Sequence, residues 1–197
     1  METFMKIISI AFIAIFIENT IFARALGTST MIIAAKNKKQ LIGFGICITY
    51  ISCTASILTY FADKYLLDYE LSYLYMPILY VVIIGVIYIV TLLILWKFAY
   101  KIFISMKKFV HISAFNCAVL GALLINSKVS HTLLEYIGFG LGTGIGFMIA
   151  TYFLSTVYTK LYSDDVPESF RGFPLVMVYI GILSMAFYGL VGHQLAL

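Results

Sequence analysis

Charge is scarce in this chain of 197 residues, since Asp, Glu, Lys and Arg together make up only 11% of it. Proline and tryptophan are rare, and the three cysteines are too few for the disulfide framework of a small secreted domain. The sequence is instead 62% hydrophobic, with a mean hydropathy of +1.03. No soluble domain needs so much apolar surface, so the composition predicts an integral membrane protein.

Six apolar stretches are long enough to be read as membrane-spanning helices, because about 20 apolar residues cross the hydrocarbon core. They cover residues 5–26, 40–62, 73–98, 109–125, 133–161 and 175–195. Too few residues remain for a separate soluble domain. We therefore predict an all-α membrane protein with six transmembrane helices, forming a single domain over residues 1–197.

Lysine and arginine are distributed unevenly among the connections between these helices. The connections after helices one, three and five contain Lys36, Lys38, Lys39, Lys97, Lys101, Lys107, Lys108, Lys160 and Arg171. The opposite side has Lys6, Lys64 and Lys128. The positive-inside rule then predicts that both termini lie outside and that the two three-helix halves are inverted. The net charge of +4 indicates this topology rather than a nucleic-acid partner.

A polar group interrupts the far end of the first apolar stretch, at Glu18, Asn19 and Arg24. Ionisable residues at membrane depth usually face protein or water. Glu18 and Arg24 are six residues apart, so they are not expected to pair on one helix face. They could belong to an ion or proton path, or set the field at a cofactor. Alternatively, this is an interfacial helix end from which Arg24 reaches the surface.

The fourth apolar stretch contains Asn116 and Cys117, a polar dipeptide that is costly in lipid unless it packs on protein or binds something. A thiol is the best soft metal ligand in the chain. A single membrane cysteine can equally be a small packing residue. Cys47 and Cys53, six residues apart, match no metal-ligand spacing and are predicted to pack in the protein interior.

Alternate glycines mark the fifth apolar stretch, at Gly138, Gly140, Gly142, Gly144 and Gly146. Glycines four residues apart let helices approach closely. No Lys-Ser/Thr pair follows them, so the pattern predicts a close helix crossing and not a phosphate loop. The polar segment 163–172 is either a docking loop for a partner or a capped turn before helix six.

Four stretches carry a family resemblance and follow one another without large insertions: residues 16–19 with 26–27, 116–121, 163–172 and 181–187. The most specific are Asn-Cys-Ala-Val-Leu-Gly at 116–121 and the Val-Pro and Phe-Arg-Gly pieces of 163–172. Together they resemble the membrane subunit called A in Rnf complexes and E in the sodium-pumping NADH:quinone reductase, Nqr. Arg24 is more similar to the Rnf version of helix one.

This resemblance implies two inverted three-helix halves in a multi-pass protein of the inner (cytoplasmic) membrane. It implies a homologous sister subunit, with a [2Fe-2S] cluster between the two subunits that relays electrons. The complex would couple electron flow to movement of Na⁺ or H⁺, and this chain alone would not be catalytic. Cys117 matches the helix-four cluster ligand. Asn19, Asn116, Gly27 and Gly121 would shape the backbone packing around it.

The second cluster ligand of the family is a cysteine two residues after the helix-one glycine, where this chain has Ser29. A serine oxygen is a far poorer iron ligand than a thiolate, because its proton is much harder to remove. The sister subunit could supply extra ligands, Ser29 or another oxygen could complete the site, or the cluster could be absent. The alternative functions are therefore a non-redox transporter using Glu18 and Asn19, or a structural subunit.

Overall fold

Apolar runs with few prolines fold into helices throughout the described chain, which comprises residues 2–66, 72–164 and 166–191 of the computed structural model. Helices satisfy their own backbone hydrogen bonds, as lipid requires, and these described residues form no strand. The helices are α1 (Glu2–Phe12), α2 (Thr28–Ala35), α3 (Lys38–Leu66), α4 (Ser72–Phe98), α5 (Tyr100–Ala114), α6 (Cys117–Val129), α7 (Leu133–Leu161) and α8 (Phe173–Val191). A π-helical turn, Ile13–Ile17, continues α1.

Three of these helices are long and apolar enough to cross a membrane by themselves: α3, the Leu74–Phe98 part of α4, and α7. The pair α5 and α6, bent by 52° at its break, would make a fourth span. The apolar parts of α1 with its π turn and of α8 are shorter. The all-helical prediction is confirmed over the described residues, whereas six spans and the placement of the termini stay predictions.

Two predicted helices, over 5–26 and 109–125, were wrong as continuous elements. The first is interrupted between Ile17 and Thr28, and the second between Ala114 and Cys117. The helix predicted over 133–161 has those bounds, and the Thr132–Glu135 capping box fixes its start. Helix six begins two residues earlier than predicted, and residues 192–195 of that prediction lie outside the described residues.

The glycines of α7 open two closely packed faces, which confirms the predicted close crossing. Gly138, Gly142 and Gly146 lie against Ile7, Ala11 and Ile15, so the first helix runs parallel to α7. On the other face, Gly140 lies against Ser52 and Gly144 against Thr49, so α3 runs antiparallel to α7. A bare Cα–H surface lets these backbones approach closely enough to exchange the Ser52 Oγ–Gly140 O hydrogen bond of 2.7 Å.

The buried core surrounds α3 and α7 and fixes the direction of their neighbours. Ile48, Ile51, Phe147 and Leu154 are among its fully buried side chains. α4 is antiparallel to α3, since Tyr50 meets Thr91 at 3.3 Å near one end and Asp63 meets Tyr80 near the other. The start of α3 and the ends of α4 and α7 therefore lie together. Their cations, Lys38, Lys39, Lys97 and Lys160, define the lysine-rich end of the bundle.

The segment before α8 is a tight turn braced by Arg171. Its guanidinium donates to Asp164 Oδ1 at 2.8 Å and to the carbonyls of Asp164 and Val166 at 3.2 Å. Gly172 adopts a left-handed φ of 83° and donates its N–H to Leu161 O. Asp165 lies outside the described residues. These bonds agree with the capped-turn interpretation, and the docking interpretation stays a prediction.

Candidate functional site

The first helix break is organised by the buried side chain of Asn19. Its Nδ2 donates to Ile15 O at 2.8 Å, while its Oδ1 accepts the N–H groups of Ile21 and Phe22 at 3.0 and 3.3 Å. These bonds replace the intrahelical bonds that the backbone loses here. Asn19 thereby lets the chain leave the helix at membrane depth without orphaned backbone groups.

The chain then turns back through two residues with positive φ. Ala25 has φ 55° and Gly27 has φ 81°, and Leu26 donates its N–H to Thr20 O at 2.9 Å. Glycine adopts this left-handed conformation at little cost. Gly27 is also the N-cap of α2, whose first turn contains Thr28, Ser29 and Thr30.

The second helix break contains only Phe115 and Asn116. Asn116 has an extended backbone and caps α6, with its Oδ1 accepting the N–H of Ala118 at 3.0 Å. Asparagine is among the preferred N-cap residues, so the sequence itself favours a new helix at this point. Cys117 is consequently the first residue of α6.

The two breaks meet at Cys117. Its Sγ accepts a hydrogen bond of 3.1 Å from the N–H of Gly27. Asn116 and Ala118 pack so closely on Gly27 that no side chain would fit there, and Leu26 likewise covers Gly121. A donor on the sulfur and a place at a helix N-terminus both favour the thiolate form of a cysteine.

Cys117 is exposed at the surface of the chain and lines an open pocket of about 250 Å³. The other walls are mainly apolar, with Val81, Phe115 and Leu120 among them. An exposed thiol on an apolar surface is available to a neighbouring subunit within the membrane. It is not in the position of a cysteine that packs in the protein interior.

Ser29 is exposed in the first turn of α2, two residues beyond Gly27. The predicted set Gly27, Asn116, Cys117 and Gly121 is thus brought together, with Ser29 on the adjoining turn. Cys47 is buried and Cys53 partly buried on α3, away from both breaks. Across the described ranges, no group of three or more His, Cys, Asp and Glu side chains is arranged to hold a metal ion.

Glu18 and Arg24 form an ion pair of 3.0 Å, which corrects the expectation that they do not pair. The helix break lies between them, so helical spacing does not apply. They line a pocket of about 370 Å³ together with Phe187 and Tyr188 of α8. The Arg24 side chain is 51% exposed, which agrees with a helix end at a surface.

Replacing Arg24 with alanine should lower the free energy of unfolding by less than about 1 kcal/mol, because exposed ion pairs contribute little. Thermal unfolding of the purified protein in detergent would measure this. Arg171→Ala is the matched control and should cost more, since three hydrogen bonds brace its loop. Equal losses would show that Arg24 does more than pair with Glu18.

Asp63 is a buried polar residue that sequence reasoning missed. The predicted helix ended at residue 62 and left Asp63 in a solvated connection. It lies instead in the last turn of α3, with 2% of its surface exposed, and the Tyr80 and Tyr136 hydroxyls donate to it. The apolar pattern, which continues through Tyr65 and Leu66, is the signal that could have extended the helix.

A family model described as "Rnf-Nqr subunit, membrane protein" matches residues 7–193, nearly the whole chain. The chain belongs to the Rnf-Nqr membrane subunit family. The subunit called A of the Na⁺-translocating ferredoxin:NAD⁺ oxidoreductase complex of Acetobacterium woodii is 29% identical over 192 residues, covering 97% of this chain and all of that protein.

Two further Rnf-Nqr relatives align over most of their length. The equally lettered subunit of the ion-translocating oxidoreductase complex of Shewanella loihica is 29% identical, and that of Vibrio vulnificus is 26% identical. Each alignment covers 90% of this chain and 93% of the relative. Family membership agrees with the apolar helices of the fold and confirms the resemblance read from residues 116–121.

Proposed function

We propose that this Rnf-Nqr chain is a subunit of an ion-translocating electron-transfer complex in the cytoplasmic membrane. The observation that carries the proposal is the meeting of two helix breaks at an exposed cysteine, Cys117, whose sulfur accepts the N–H of Gly27. The chain offers this thiol to a partner subunit. Its own helices hold the sulfur in place through Asn116, Gly27 and Gly121.

The group to be held is a [2Fe-2S] cluster shared with a homologous sister subunit. Such a cluster supplies a one-electron carrier and takes four protein ligands, usually thiolates. This chain fits one of them well, because Cys117 is exposed, capped by a helix N-terminus and hydrogen-bonded at sulfur. Ser29, exposed on the adjoining turn, is the position for a second, oxygen ligand. The remaining ligands would come from the sister subunit.

Partners and coupling ion follow from the names of the relatives, which are subunits of ion-translocating oxidoreductase complexes. We expect the chain to assemble with such subunits and to support Na⁺ or H⁺ movement. The reaction belongs to the complex and not to this chain alone. The break residues keep the sulfur fixed, and the apolar wall of its pocket excludes water.

Replacing Cys117 with alanine should remove the cluster from the assembled complex. Iron content and EPR spectra of the reduced complex, purified with its natural partners, would measure this. We expect the wild type to contain a [2Fe-2S] signal and the Cys117→Ala complex to lose it, along with electron transfer. Cys47→Ala is the matched control, because that cysteine is buried on α3, and it should keep the signal.

An unchanged signal in the Cys117→Ala complex would contradict the proposal, as would a wild-type complex without iron. A further variant, Ser29→Cys, tests the second position. It should keep the iron and change the EPR spectrum, since a thiolate replaces an oxygen at the cluster. An identical spectrum would show that residue 29 is not a ligand.

A second function is suggested by the pocket at Glu18 and Arg24, since ionisable residues beside a broken helix are typical of transport sites. In that case the chain is a non-redox transporter on the same scaffold. Glu18→Gln would then abolish solute or ion uptake into vesicles, while Cys117→Ala would leave it intact. The opposite pattern supports the electron-transfer function.

A further inference from the structure

A buried carboxylate, Asp63, joins three helices at the end of the bundle opposite the lysine-rich end. The hydroxyl of Tyr80 on α4 donates to its Oδ1, and the hydroxyl of Tyr136 on α7 donates to its Oδ2 at 2.7 Å. Only 2% of Asp63 is exposed. Both carboxylate oxygens therefore interact with protein hydroxyls and not with bulk water.

The surroundings of Asp63 are rich in oxygen and amide groups. Tyr60 packs edge-on against Tyr136, and Ser127 is a second polar neighbour of the Tyr80 hydroxyl. Asn126, which is fully buried, donates from Nδ2 to Ser56 Oγ at 3.1 Å and to Tyr136 O at 3.2 Å. Its Oδ1 is buried without a hydrogen-bond partner within the described part of the chain.

No cationic side chain balances this carboxylate among the described residues. Both ion pairs found there, Arg24–Glu18 and Arg171–Asp164, lie elsewhere. The lysines nearest in sequence to the cluster, Lys64 and Lys128, are exposed to solvent. The titratable groups that face Asp63 are thus the phenols of Tyr80 and Tyr136, with Tyr60 behind them. Two neutral hydroxyl donors stabilise an anion but leave its charge uncompensated.

We propose that Asp63 is a binding site for a small monovalent cation, either H⁺ or Na⁺, taken up from the aqueous phase. A proton would bond to one carboxylate oxygen, while Na⁺ would be bound by the carboxylate and nearby hydroxyl oxygens, which suit a hard cation. In both cases the buried site becomes neutral. That this cation is the one moved by the complex rests on the proposed function, but the binding itself does not.

The position of Asp63 suits a site that exchanges with one aqueous phase. It lies 25 residues beyond Lys38 on α3, which is about 37 Å at a rise of about 1.5 Å per residue. It is also within one turn of the end of α3, and Tyr136 lies in the first turns of α7. A cation therefore reaches Asp63 from the end opposite the lysines with little transfer through the apolar core.

Infrared difference spectroscopy of the assembled complex in lipid vesicles would test this site without requiring redox activity. Spectra are recorded after a pH change in Na⁺-free buffer, and after exchange of Na⁺ for choline at constant pH. A protonated-carboxyl band that responds to pH and is lost in Asp63→Asn identifies a proton site. A carboxylate band that responds to Na⁺ and is lost in Asp63→Asn identifies a sodium site.

Asp164→Asn is the matched control, because the Asp164 carboxylate is exposed and pairs with Arg171, and it should leave the band unchanged. Should Asp63→Asn fail to assemble, Tyr136→Phe serves in its place. It removes one donor to Oδ2 and should shift the frequency of the Asp63 band. An Asp63 band that responds to neither pH nor Na⁺, or a responsive band that both variants leave unaltered, overturns the proposal.

The same preparation separates this inference from the proposed function. A complex without iron or electron transfer, in which the Asp63 band still responds, refutes the redox function and leaves the cation site standing. A redox-active complex whose Asp63 carboxylate does not respond refutes the cation site alone.

Discussion

Replacing Gly27 with valine should prevent the two helix breaks from closing on each other. Gly27 has φ 81°, and a left-handed backbone costs a non-glycine residue about 1–2 kcal/mol. A Cβ there would lie 2.7 Å from Ala118 Cβ and 2.9 Å from Asn116 Oδ1. Overpacking of this kind adds about 1–3 kcal/mol. We expect a large fall in melting temperature in detergent and loss of the hydrogen bond to Cys117.

Gly85→Ala is the matched control for this variant, because no atom lies within 4 Å of a Cβ at that position of α4. It should be neutral or slightly stabilising, since alanine favours helix over glycine by about 1 kcal/mol. If Gly27→Val unfolded at the same temperature as Gly85→Ala, the close contact between the breaks would be refuted.

Replacing Gly144 with leucine should separate the two central helices, α3 and α7. A Cβ at Gly144 would overlap the Thr49 side chain and lie 2.5 Å from Thr49 Cα. A backbone contact of this kind cannot be relieved by a rotamer change, so the helices would have to move apart and the Ser52–Gly140 hydrogen bond would be lost. We expect little folded protein, measured as the monodisperse fraction after extraction in mild detergent.

The control for this substitution is Gly181→Leu on α8, where a Cβ meets no atom within 4 Å. This variant adds the same apolar volume to a helix and should be extracted in normal yield. Similar yields of the two leucine variants would show that α3 and α7 do not pack at the distance described.

The long helices could be predicted because their cause is local. Apolar runs of sufficient length form helices in lipid wherever they lie, so the spans of α3, α4 and α7 follow from hydropathy. The start of α7 follows from the Thr132–Glu135 capping box, and its close faces follow from the four-residue spacing of glycines.

The breaks could not be predicted from hydropathy, because residues 18–27 and 115–116 sit within largely apolar stretches. A break depends on whether a side chain replaces the lost backbone bonds, as Asn19 and Asn116 do. Spacing arguments then fail across it. Glu18 and Arg24 pair although they are six residues apart, because no helix connects them.

The sequence by itself determined the class of the protein, the length of its uninterrupted helices and the identity of Cys117 as the thiol to examine. These depend on composition and on motifs within a few residues. Only the tertiary structure decided that Gly27 contacts Cys117 and that Tyr80 and Tyr136 enclose Asp63. These contacts join residues far apart in the chain, and they form only because glycine faces bring the helices close enough.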